Sequence, residues 1–283
     1  MDLTRAKTAL ILAFLVLNMY LGYQLWYSSD HYISPLTVTT GEVEQILAQV
    51  EEYNYDLIVP LPRQSFTMSL LSVQAKDLDE EGLVDSLFPE EPPLKHVQGQ
   101  ETIYSLNDKT LIFPGRGRAV YRKQPLAEPE SRDAQDLQHR GEEFLQGKGL
   151  LPDDAVFGGI YPGAGGMKRV VFYQSYEGIS LYTSFIDLQF QEDQVMGFDL
   201  YWLEPLEFSG ENRHVLPATQ ALLRFLEVVG PAPSSEEIVD LSLGYFSRDY
   251  DAQKWDVVPV WRIASRSGSV VYINAFSGEE EES

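Results

Sequence analysis

The chain contains no cysteine. Disulfides, a Cys nucleophile and lipoprotein anchoring are therefore excluded, and the hydrophobic core must do the stabilising. Basic residues are few: 21 Lys and Arg stand against 43 Asp and Glu, for a net charge of −22. That argues against nucleic acid, whose phosphates need Lys and Arg. It argues equally against docking over a broad face on anionic lipid or anionic wall polymer. There is no N-x-[ST] sequon. Histidine is scarce, and His31, His96, His139 and His214 lie far apart, with no H-x-x-x-H or H-E-x-x-H spacing. No G-x-S-x-G elbow is present. No catalytic residue, metal ligand or cofactor is assigned.

Long hydrophobic runs are also absent, with one exception. Arg5 and Lys7 precede an uncharged, mostly apolar run from Thr8 to Ser29, and the next charge is Asp30. Roughly 20 helical residues at 1.5 Å each cross a bilayer core of about 30 Å, so this run is long enough to span. A cleaved signal peptide needs small residues after its apolar core. Here that place holds Tyr20, Tyr23, Trp26 and Tyr27, which suit an interfacial aromatic belt. The run is expected to be an uncleaved anchor, with the N-terminus cytoplasmic by the positive-inside rule and the remainder outside. Hydrophobic content of 44% and aromatic content of 12% predict that the remainder folds.

The expected layout is a cytoplasmic N-terminus over 1–7, a transmembrane helix over 8–29, a stalk over 30–40, and extracytoplasmic subdomains over 41–123 and 131–283. Val43, Ile46, Leu47 and Val50 have helical spacing, with Thr40 as a candidate cap. Strands are predicted at 65–73, 102–106, 110–113 and 119–122, and a short helix within 77–87. Residues 124–130, with Pro125 and Pro129, form a candidate linker. A helix over 131–146 precedes strands at 155–161, 168–176, 179–190 and 194–203. A second helix over 217–228 precedes strands at 241–248, 257–264 and 269–275. The fold class is thus α+β, built from repeated units of a helix and an antiparallel meander.

Gly163-Ala164-Gly165-Gly166-Met167-Lys168 lacks phosphate-loop spacing, because Arg169 follows Lys168, and is expected to be a hairpin turn. Asp77-Leu78-Asp79-Glu80-Glu81-Gly82 opens like a calcium loop, but its twelfth position is Phe88, and a solvated acidic loop is expected. Trp202, Trp255 and Trp261 are candidates for a wall-binding groove, with a core role the expected one. Inside the span, Asn18 and Gly22 lie one turn apart on one face, and Ala9 and Ala13 on nearly the opposite one. Small residues and an intramembrane Asn favour helix–helix contact, so all four are candidate partner-binding positions.

The stretches Phe14–Asn18 and Leu21–Leu25, with Met1-Asp2 and Lys7-Thr8, resemble the opening of the YycI (WalI) family. Val170–Gly178, Pro259–Ile263 and Tyr272–Glu279 are similar to that family's C-terminal half, and the last stretch also resembles the ending of PepSY-like domains. The resemblance implies a non-enzymatic membrane protein that modulates the sensor kinase WalK (YycG) of a cell-wall two-component system. It implies action through transmembrane contacts, together with the sister protein YycH.

Overall fold

The computed structural model describes residues 14, 17, 18, 39–124, 136–248 and 252–282. The chain divides into two units between Val38 and Thr39. In the first, Phe14, Leu17 and Asn18 are helical. The rest of the predicted span, including Ala9, Ala13 and Gly22, lies outside the described residues, as do His31, most of the stalk and most of the 124–130 linker. No helix among the described residues is long and apolar enough to cross a membrane.

The second unit opens with α1, Thr40–Glu52. Its cap is Thr39 rather than Thr40: Glu42 N donates to Thr39 Oγ1, and Thr39 N donates to Glu42 Oε2 at 2.8 Å. This reciprocal capping box satisfies backbone donors that the first turn cannot use internally. The buried face is Val43, Ile46 and Val50. Strands β1 (Tyr55–Leu57) and β2 (Thr67–Ala75) follow.

Three runs of a helix and then a meander succeed one another. Helix α2 (Glu80–Leu87) precedes β3 (Leu94–Gln98), β4 (Glu101–Leu106), β5 (Lys109–Phe113) and β6 (Arg118–Lys123). Helix α3 (Leu137–Gly147) precedes β7 (Ala155–Pro162), β8 (Lys168–Tyr176), β9 (Ile179–Gln191) and β10 (Gln194–Tyr201). After β11 (Leu203–His214), helix α4 (Ala218–Val229) precedes β12 (Glu236–Phe246), β13 (Trp255–Ser265), β14 (Val270–Asn274) and β15 (Glu280–Glu281). Strands within each run pair antiparallel with their successors.

The runs join in one mixed sheet. Two parallel pairings, β1 with β12 and β9 with β12, depart from the purely antiparallel expectation. Strand β2 is inserted between β11 and β13. Helices α1 and α4 cover a core that includes Leu71, Leu222, Phe225, Trp261 and Ile263. Helices α2 and α3 cover a second, around Leu111, Leu145, Phe172, Leu188 and Phe198. Burying aliphatic and aromatic side chains of this size is worth about 1.5–3 kcal/mol each, and with no disulfide these cores carry the stability.

Four strands have no counterpart in the sequence expectation: β1, β3, β11 and β15. No element is predicted over 204–214, where β11 is a largely exposed edge, held by pairing to β2. All five residues of β3 are exposed, so no buried face marks it, and β1 is only three residues long. The Gly163–Met167 segment is the turn between β7 and β8, closed by Gly163 N donating to Met167 O at 2.8 Å. At the β8–β9 turn both Glu177 and Gly178 have positive φ, 50° and 81°, as a type I′ hairpin needs.

Candidate functional site

The sheet carries a third, smaller core on the face that α3 and α4 leave uncovered. It is built from Tyr161, Tyr173, Tyr182, Phe246, Val260 and Tyr272, and it lies between the second and third meanders. Its origin is a bulge. The β8–β9 register jumps from Tyr173↔Phe185 to Gln174↔Leu181, which leaves Tyr182, Thr183 and Ser184 as extra residues in β9. Bulges re-aim side chains, and here all three reach across. Tyr182 OH shares a hydrogen bond with Ser242 Oγ at 2.7 Å. Thr183 Oγ1 donates to Ser247 O and accepts from Ser247 N at 2.8 Å. Leu203 N donates to Ser184 Oγ at 3.0 Å.

Into this core β13 sends Arg262, which is 2% exposed. Its Nη1 pairs with Asp240 Oδ2, and its Nη2 donates to Tyr161 OH at 2.7 Å. The guanidinium lies 5.3 Å from the ring centre of Tyr173 and 5.6 Å from those of Tyr161 and Tyr182. One carboxylate and three π-faces thus stand in for the water that an arginine normally keeps. Arg262 Nε finds no hydrogen-bond partner among the described residues. Burial pushes the Tyr182 and Tyr272 phenols above their ordinary value, so both remain protonated and available as donors.

Two clefts flank the shared Tyr173–Tyr182 floor. One, of about 480 Å³, is bounded by β7, Asp240, Arg262 and Arg266. The other, of about 690 Å³, is bounded by Arg118, Arg169, Asp187, Arg248, Tyr272 and Glu282. Gly158 is required here, since a Cβ on it would lie 2.5 Å from the Tyr173 ring. In the second cleft Arg169 donates to Asp187 Oδ2, while Asp187 Oδ1 finds no partner among the described residues. Burial raises the Asp187 pKa, and Arg169 only partly opposes it.

The positions singled out in the sequence fall elsewhere. Asn18 is the one transmembrane candidate described; its Nδ2 donates to Phe14 O at 2.9 Å, one turn back on the same helix. Its second N–H and its carbonyl oxygen remain chemically suited to a neighbouring helix. His96, His139 and His214 are exposed and on separate elements, and the described residues hold no group of three or more metal-ligating side chains. In the acidic loop, Asp79 caps α2 through Gly82 N, and Phe88 is buried. Trp202, Trp255 and Trp261 are 2%, 8% and 1% exposed, so they are core residues, not a groove. The tyrosine–arginine cluster itself was missed. Its one visible sign was a charge inside the apolar run Pro259-Val260-Trp261-Arg262-Ile263.

Comparison with known proteins bears on this geometry. The family model described as YycI protein matches residues 34–276. The chain belongs to the YycI family. No curated protein matches it. Among solved structures, this YycI-family chain is similar to an uncharacterized protein from Eubacterium rectale ATCC 33656. The TM-score is 0.52 at 11% identity, covering 85% of this chain and 99% of that one, a likeness of fold alone. The C-terminal domain of YpeB from Bacillus megaterium aligns at TM-score 0.42 and 13% identity, over 73% of this chain and 97% of its own. YycH from Bacillus subtilis aligns at TM-score 0.48 and 14% identity, over 75% of this chain and 53% of its own.

Proposed function

We propose that this protein is a non-enzymatic accessory regulator of the sensor histidine kinase WalK (YycG), acting with YycH through contacts of its N-terminal span. Membership of the YycI family, matched over residues 34–276, is the observation that carries this reading. In it, residues 8–29 cross the membrane once, the N-terminus is cytoplasmic and the sheet domain is outside. Asn18 and Gly22 face one neighbour, and Ala9 and Ala13 a second. A helix that binds one packing of the kinase spans better than another by about 1.4 kcal/mol shifts their ratio tenfold. The alternative of a wall-binding module gains nothing from Trp202, Trp255 and Trp261, which are buried; a PepSY-like inhibitor domain rests only on the likeness of the C-terminal stretch.

The missing cysteines supply the test. Single Cys substitutions at Ala9, Ala13, Asn18 and Gly22, paired with scanning Cys in the kinase spans, are expected to crosslink in membranes, whereas Leu12→Cys, which lies between the two faces, is not. If none crosslinks while the protein still changes kinase output, the span is only a tether and the proposed mechanism fails.

A further inference from the structure

The two clefts gather a charge that the molecule otherwise lacks. Their walls hold five arginines, Arg118, Arg169, Arg248, Arg262 and Arg266, against three carboxylates, Asp187, Asp240 and Glu282, and Glu237 pairs with Arg266 at the rim. The local balance is therefore +1 (five minus four), on a chain of −22. Screening has a length of about 8 Å at physiological salt, so the groups lining the clefts, more than the distant acids, set what binds there.

An acidic segment already touches this rim. Strand β15 adds Glu280–Glu281 to the edge of β14, and Glu282 places its Oε2 2.9 Å from Arg248 Nη2. Both partners are mostly in water, their side chains 51% and 74% exposed, so the pair is easily exchanged. Arg266 is likewise exposed at 65%, and it pairs with Glu237, itself 39% exposed. The backbone offers a second means of recognition. Between Ile238, paired to β1, and Gly244, paired to β9, that edge of β12 has no strand partner among the described residues, and it borders the smaller cleft. Unpaired strand edges recognise extended chains, and arginine with tyrosine is the pairing found at binding hot spots.

We propose that the two clefts over the Tyr173–Tyr182 floor, between the second and third meanders, are a receptor for an acidic, extended peptide segment of a partner, whose carboxylates take Arg248 and Arg266, with Glu282 and Glu237 as their internal placeholders. The inference does not depend on what the membrane span contacts. The open strand edge favours a peptide over a phosphate polymer, because only a peptide has amides to pair with it.

The test uses the full chain in detergent, with fluorescein-labelled deca-glutamate as probe and anisotropy as readout. Saturable binding is expected, weakened about tenfold or more by either Arg248→Ala or Arg266→Ala, as loss of a charge-assisted contact implies. Glu282→Gln, a surface change with no folding burden, is expected to tighten binding severalfold by releasing Arg248. Absence of binding, indifference to both arginine variants, or weaker binding in Glu282→Gln overturns the proposal. So does capture of inorganic polyphosphate in place of deca-glutamate, which would make the clefts a phosphate site. Crosslinking of the span reports on a different region, so either reading can fail alone.

Discussion

At the scale of single residues, Arg262 is the most exacting choice in the domain. A buried guanidinium is tolerated because Asp240, Tyr161 and three aromatic faces replace its hydration. Arg262→Leu is expected to cost roughly 2–4 kcal/mol, below the figure for a fully buried pair because the Asp240 side chain stays 32% exposed. Adding Asp240→Asn is expected to return part of that loss, read from urea midpoints as a double-mutant cycle. Asp187 behaves in the opposite way. Burial raises its pKa, so the native state takes up its proton before the unfolded chain does. Its contribution is fully present below the ordinary carboxylate value and declines as pH rises through the raised one. Asp187→Asn is therefore expected to lose under about 1 kcal/mol at pH 7 and to flatten stability measured between pH 3 and 7.

Between elements, the second and third meanders join through a narrow junction of β9 and β12. Only Gly244↔Ser180 and Tyr245↔Leu181 pair there. A Cβ on Gly244 would lie 2.5 Å from Ser180 O and from the Tyr182 ring. Gly244→Ala is expected to cost about 1–3 kcal/mol and to raise hydrogen exchange at Thr183 and Ser247, whose reciprocal bonds close the same junction. Elements with strong periodicity were legible in the sequence: α1, α4 and the strands of the second and third meanders other than β15 follow from apolar spacing and turn residues. Strands β11 and β3 were not, because they are exposed and their pairing partners, not their side chains, make them strands. The tyrosine cluster escaped for a related reason. Tyr161, Tyr173, Tyr182 and Tyr272 sit on four strands, and only a three-residue bulge and a parallel pairing bring them together. No local pattern encodes either event.

On the scale of the whole molecule, buried phenols set an upper limit of pH. The pKa of Tyr121 is pushed up to about 12, first by burial and then by Asp108, and that of Tyr245 to about 12 by burial and Glu177. Tyr55, Tyr173, Tyr182 and Tyr272 are raised as well, all chiefly by burial. An unfolded tyrosine ionises near pH 10, so between pH 10 and 12 the native state holds more protons and each rise in pH favours unfolding. The stability that these residues lend is complete below pH 10. Circular dichroism melts are expected to show a nearly constant Tm from pH 7 to 9 and a steep fall above 10. Tyr121→Phe is expected to soften that fall.

The position of β2 has a consequence in time. This strand, residues 67–75, is seated between β11 and β13, and its Val73 faces Trp255 in the ladder. Synthesis begins at the N-terminus, so β2 emerges well before either neighbour exists. For most of translation it is an apolar strand with two open edges, and loop closure over so many residues is slow. The meander β3–β6 pairs locally, but the sheet around β2 cannot close until β13 is made. Until then β2 is a target for proteases and for self-association, and a holding chaperone is the natural guardian of that interval.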